Sequence, residues 1–186
     1  MHAILLRMPW SLTRRLSACA ALLCLATALN AQTEKEKWTT YKYPADGFRV
    51  SFPAEPKVEQ NKKEAKSGTI VMNSYCAQVS ETYLCVAVID QAPEATGLSP
   101  DALFERTRLG VISAPRTHKL NEADIDLDGH KGVELETEND KFHIFTRIYL
   151  VDRTLFQTMV TIPLAGRYPG TERFLDSFKV IARVRY

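Results

Sequence analysis

The stretch KFHIFTRIYLVDRTLFQTMVTI, residues 141–162, decides the architecture. Residues 141–151 and 154–162 are rich in β-branched and aromatic side chains, with Asp152-Arg153 between them. They read as the two strands of a hairpin. Successive side chains of a strand point to opposite faces. Ile144, Ile148, Leu150, Leu155 and Met159 therefore share one side, and Phe145, Tyr149, Val151, Phe156 and Val160 the other. A ribbon apolar on both sides must be covered on both sides. A helix layer on each face is the simplest cover. The expected fold is α+β: a three-layer α/β/α sandwich with a central, mainly antiparallel sheet.

The rest of the chain fits that frame. Further strands are expected at residues 38–43, 47–52 and 56–63. Residues 69–77 with 83–90, and 119–127 with 131–137, read as two more hairpins. A last strand is expected at 179–186, its Lys179, Arg183 and Arg185 forming a basic row that guards an edge or meets an anionic lipid headgroup or acidic partner. One helix starts at Ser99, a natural N-cap, with Pro100 at N1 and a Leu98–Leu103 staple, and ends before Pro115. A second, short helix spans 171–178, with Phe174, Leu175 and Phe178 on one face.

The N-terminus reads as a targeting segment. Arg7, Arg14 and Arg15 precede an apolar run at 16–25, and Ala26-Thr27-Ala28 matches an A-x-A cleavage pattern, with cleavage after Ala31 the alternative. The run is about half of what a spanning helix needs, so no transmembrane anchor is expected. A lipobox at Leu16–Cys19 is disfavoured by the arginines directly before it, and a twin-arginine signal by Ser17. The expected division is a signal peptide at 1–31, a lead-in at 32–37 and one domain at 38–186. The whole chain has 24 basic and 22 acidic residues, net +2. Without the three signal arginines the balance is 21 to 22, net −1. Such a domain offers no electrostatic reason to bind nucleic acid. Its place is expected to be periplasmic or extracellular, and its state monomeric.

Two constellations stand out. Cys76 and Cys85 face each other if Ser80-Glu81 is a hairpin tip, and in an oxidising compartment that pair predicts a disulfide over two buried free thiols. The second is a row of carboxylates. With a three- or five-residue loop after Leu127, the residues Glu122, Asp124, Asp126, Glu134, Glu136 and Glu138 crowd one face. Like charges placed opposite one another repel. A bound Ca²⁺ with oxygen ligands or a basic protein partner would relieve them. So would pairing with Lys141, His143 and Arg147, the blander and favoured reading. Asp124–Gly129 begins like an EF-hand loop, but Leu135 stands where its bidentate Glu belongs. No other cofactor is implied. The histidines lack ligand spacing, although His130 and His143 together near the acidic row would make a transition-metal site conceivable. No nucleophile elbow, P-loop or dinucleotide fingerprint is present.

Trp38; Gly47-Phe48-Arg49-Val50-Ser51-Phe52-Pro53 with Pro56; Leu127-Asp128-Gly129 with Gly132 and Glu134; Arg147-Ile148-Tyr149-Leu150; and Phe174-Leu175-Asp176-Ser177-Phe178 form a further set of segments. Together they resemble the PsbP-like family, named for an extrinsic photosystem II subunit. The resemblance is closer to the small exported bacterial proteins of unknown function sharing that fold. It implies an α/β/α sandwich and a binding or assembly role outside the cytoplasm. It supplies no catalytic residues, and the photosynthetic role does not transfer with the fold. The expectation is an exported, non-enzymatic binding or assembly module for a protein partner or envelope complex. The alternatives are a small extracytoplasmic enzyme, or a cation-dependent protein using the acidic face.

Overall fold

The computed structural model describes residues 36–65, 68–90 and 96–184. The expected signal peptide at 1–31, most of the expected lead-in at 32–37, and Arg185 of the expected last strand lie outside the described residues. Residues 36–186 form one compact unit.

Among the described residues ten strands and two helices follow one another: β1 Thr39–Tyr43, β2 Phe48–Phe52, β3 Lys57–Ala65, β4 Gly68–Val79, β5 Thr82–Ile89, α1 Pro100–Ile112, β6 His118–Leu127, β7 His130–Glu138, β8 Phe142–Val151, β9 Thr154–Pro163, α2 Thr171–Ser177 and β10 Lys179–Val180. Seven strands make one sheet in the order β3-β4-β5-β9-β8-β7-β6. The other three make a small sheet, β1-β2-β10. All pairings are antiparallel.

The β8–β9 hairpin closes on Val151↔Thr154, with Asp152-Arg153 at its tip. Its two sides enter two different cores. Tyr149, Val151, Phe156, Val160 and Ile162 pack with Phe48, Val50 and Phe52 of the small sheet and with Phe174, Leu175 and Phe178. Ile148 and Leu155 pack with Leu103 and Phe104 of α1 and with Val133 and Leu135 of β7.

The expected three-layer α/β/α sandwich is corrected here. The chain is mostly β, with two antiparallel sheets and two helices among the described residues. Only α1 covers its face as a helix layer does. The larger core is closed chiefly by the small sheet, and α2 adds seven residues. The reason lies in β2, where Phe48, Val50 and Phe52 alternate into the core at zero exposure while Arg49 points outward. A half-apolar sheet covers another sheet as well as a helix would. Two-sided hydrophobicity in a hairpin demands cover and does not specify its secondary structure.

The helix ends follow the chemistry expected of them. Ser99 accepts a hydrogen bond from the Ala102 N–H at 3.3 Å and Pro100 opens α1. Ser177 closes α2: its Oγ donates to the Phe174 carbonyl at 2.7 Å and accepts from the Ser51 N–H at 2.9 Å. The last strand is shorter than expected. β10 is two residues long, and beyond it Ala182 and Val184 are exposed. Arg183 turns back, its Nη2 donating to the Asp46 carbonyl at 3.1 Å and its Nη1 pairing with Asp90.

Two buried hydroxyls in the large sheet, Thr146 Oγ1 and Thr158 Oγ1, have no hydrogen-bond partner. A buried polar group without a partner carries its full desolvation cost. Thr158→Val is therefore expected to raise stability by about 1 kcal/mol. Urea unfolding checks this, and an unchanged or lower midpoint would show that Thr158 is satisfied.

Candidate functional site

The acidic residues of β6 and β7 do not share one face. β6 and β7 meet at Leu127↔His130, so the loop is the two-residue turn Asp128-Gly129. Both turn residues have positive φ, 53° and 87°. That is the backbone a tight hairpin turn of the mirror-image type requires, and Asp-Gly suits it. An even loop reverses the relation between the two strands. Asp124 stands opposite Val133 and Glu122 opposite Leu135, while Ile125 stands opposite Gly132. Glu122, Asp124 and Asp126 therefore lie on the α1 side. Glu134, Glu136 and Glu138 lie on the small-sheet side, where Glu134 stands opposite Arg147. The expectation of six crowded carboxylates is corrected, and with it the repulsion that called for a cation. The Asp-Gly pair was the signal that could have set the register.

Each half of the divided row has its own partners. Glu122 accepts from Arg108 Nη1 at 2.5 Å and from Lys119 Nζ at 2.6 Å. The hydrogen bonds from Lys119 and Arg108 hold its carboxyl below the usual range. Asp126 stands opposite Lys131, whose ammonium lies 5.5 Å from the centre of the Phe104 ring. Glu136 meets His143 Nε2 at 2.8 Å. The β7–β8 register nevertheless places Glu138, not Glu136, opposite His143, since the loop at Asn139 is longer than two residues. His130 ends up at the far end of β7 from His143. Among the described residues no three His, Cys, Asp or Glu side chains are arranged to hold a metal ion.

Arg147 is the densest charged node. It lies on β8, and its side chain is 14% exposed. Its Nε donates to Glu134 of β7, its Nη1 to Asp176 at 2.7 Å and its Nη2 to Glu172 at 3.3 Å. Glu172 and Asp176 belong to α2, so one guanidinium ties the large sheet to the helix above it. Burial works against the charge, but hydrogen bonds to Asp176 and Glu134 outweigh it and hold the guanidinium above its usual range. Next along the face, Tyr149 stacks on Phe178 with centroids 5.8 Å apart. The stack passes directly over Gly132, where an added Cβ would meet Tyr149 Cδ1 at 2.5 Å and the Ile148 carbonyl at 2.9 Å. Only glycine admits that approach.

A second node joins the two sheets at their other end. Asp46 accepts from the Tyr75 hydroxyl and, through Oδ1, from Asn73 Nδ2 at 3.0 Å. Burial and the Asp46 hydrogen bond push the Tyr75 phenol well above its ordinary value. Tyr43, 4.1 Å from the Tyr75 ring, is pushed up to about 12, by burial first and by neighbouring Tyr41 second.

Cys76 and Cys85 stand directly opposite each other on β4 and β5 and form a disulfide, with Cα atoms 4.2 Å apart. The bridge closes a short loop, and its loss is expected to cost about 2–3 kcal/mol by the chain-entropy account. The double variant Cys76→Ala/Cys85→Ala, compared with the oxidised protein by urea unfolding, measures that cost. Intact mass before and after reduction tests the bridge itself, since an unchanged mass would exclude it.

Two cavities flank the β8–β9 turn. One, of about 350 Å³, lies between α1 and the large sheet and is lined by Asp101, Phe104, Glu105, Lys131, Leu150 and Asp152. The other, of about 250 Å³, lies where the chain after β10 crosses the turn, beside Gly47, Thr154, Phe156 and Arg183. No helix among the described residues is long and apolar enough to cross a membrane.

No protein-family description matches the chain, and no curated protein does. Solved structures do match. The solution structure of cyanobacterial PsbP (CyanoP) from Synechocystis sp. PCC 6803 superposes with a TM-score of 0.51 at 14% identity, covering 80% of this chain and 95% of that one. A protein of unknown function from Pseudomonas aeruginosa, PA94, described as a putative regulator, aligns at 13% identity with a TM-score of 0.38, covering 69% and 84%. The near-complete coverage of the cyanobacterial chain, with the two-sheet core described above, gives this protein a PsbP-like fold.

Proposed function

We propose that this chain is an exported, non-catalytic docking module of an extracytoplasmic complex. The disulfide and the fold are compatible with that location, because disulfides persist where the environment is oxidising. The observation that carries the reading is how the convergent charged groups are used. Arg147 is tied to three carboxylates, Glu122 to two cations, and Asp46 to Tyr75 and Asn73. A general acid or base has to be within reach of a substrate and able to change its protonation state. These groups instead clamp one layer to another, making a rigid body suited to presenting surfaces.

The test is reciprocal capture. Tagged mature protein, crosslinked in native envelope material, is expected to recover a defined partner, and that partner, tagged in turn, to recover this chain. Only background capture in both directions would remove the proposal. The N-terminus of the exported protein, read by mass spectrometry, tests the export step: an intact Met1 would sink it.

A further inference from the structure

The small sheet turns one face to the core and the other to solvent. On the solvent side the register sets three cations in a line. Lys42 of β1 stands directly opposite Arg49 of β2, and Arg49 directly opposite Lys179 of β10. Directly opposed side chains on neighbouring strands have Cβ atoms about 4.5–5.5 Å apart, and like charges so placed destabilise the sheet. Among the described residues no carboxylate pairs with any of the three, although the same chain pairs Arg108, Arg147 and Arg183 with acids. Beside the row, Thr40 and Ser51 face each other, with their hydroxyl oxygens 2.8 Å apart. Core packing explains why these strands exist, since Phe48, Val50 and Phe52 fill the interior. It does not explain three adjacent cations outside.

We infer that the outer face of the small sheet, centred on Lys42, Arg49 and Lys179, docks a carboxylate-rich segment of a protein partner. This deepens the docking reading proposed above and rests on it. The chemistry selects the occupant. Three cations across three strands, with flanking hydroxyls, present donors to a row of carboxylates, and the arginine fork suits a carboxylate in two-point contact. A bilayer surface would be met by aromatic or aliphatic side chains beside the cations. A single-stranded nucleic acid would be met by aromatic platforms for its bases. The outward positions of the three strands carry neither: they are Thr40, Lys42, Arg49, Ser51 and Lys179.

The experiment uses the mature protein and poly-L-glutamate as probe, read by fluorescence anisotropy at low and at physiological ionic strength. Binding is expected at low ionic strength and should weaken as salt screens the contacts. Arg49→Glu should weaken it by about tenfold or more, and Arg49→Gln by several-fold. Lys62→Glu on the exposed edge strand β3 should change it by less than about twofold. Circular dichroism and thermal melting confirm folding, and the melting temperature of Arg49→Glu should equal or exceed that of the parent, because a repulsion is removed. No binding of poly-L-glutamate overturns the inference, as does equal loss in Arg49→Glu and Lys62→Glu. Tighter binding to phosphatidylglycerol vesicles, uncompeted by poly-L-glutamate, also overturns it. In the crosslinking experiment, a partner recovered equally by the parent and by Arg49→Glu would overturn the basic row and leave the docking reading standing.

Discussion

Phe48→Ala is expected to cost about 3–5 kcal/mol, the upper range for emptying a buried aromatic site. Phe48 is fully buried and sits where the two sheets meet. Its ring contacts Tyr43 at 4.9 Å, Tyr75 at 5.0 Å, Phe178 at 5.8 Å and Phe156 at 6.3 Å. Those partners come from β1, β4, the end of α2 and β9, which cannot all move inward to fill the space. A domain of this size has a net stability of roughly 5–15 kcal/mol, so the variant should stand near the unfolding threshold. Phe104→Ala, on the buried face of α1, should cost less because its ring already lines a cavity of about 350 Å³ and is packed less completely. Urea unfolding of the two variants decides the order. If Phe104→Ala proved the costlier, the main core would not be the one shared by the two sheets.

Arg147→Met is expected to lose about 2 kcal/mol. Removing one member of a buried ion pair costs about 3–5 kcal/mol, because the remaining charge is left without compensation. Glu172 and Asp176 are largely exposed here, so solvent screens them and lowers the figure. Glu134 is less exposed and loses its nearest cation. The sign of the salt effect is part of the prediction. Added salt should narrow the gap between variant and parent, since it screens the repulsion among the three stranded carboxylates. Arg147→Lys keeps the charge but not the three-way fork, and should recover less than half of the loss. A loss below about half a kcal/mol would class the node with ordinary exposed ion pairs.

Alternation in the chain was enough to find most strands, because burial on one face leaves a period-two pattern. Residues 141–162 also showed that both sides of the hairpin had to be covered. Ser99-Pro100 marked the start of α1, and the opposed cysteines were legible from the Ser80-Glu81 tip alone. Those features depend on neighbours close in sequence, and local chemistry determines them.

What covers each face was a different matter. Phe48, Val50 and Phe52 could have served an edge of the large sheet or a layer of their own. Only the tertiary structure set them across the core from Tyr149 and Phe156, with β10 arriving from the far end of the chain to complete the small sheet. Register was decided in the same way. One loop residue more or fewer moves every side chain of a strand to the opposite face, so the acidic row of β6 and β7 was divided by the Asp128-Gly129 turn. In the cation line, Lys42 and Arg49 face each other across the local β1–β2 hairpin, but Lys179 comes from β10, more than a hundred residues further along the chain, and no local pattern could add it to the row. Period and capping are properties of short segments, whereas pairing between distant strands is set by the whole core they must jointly close.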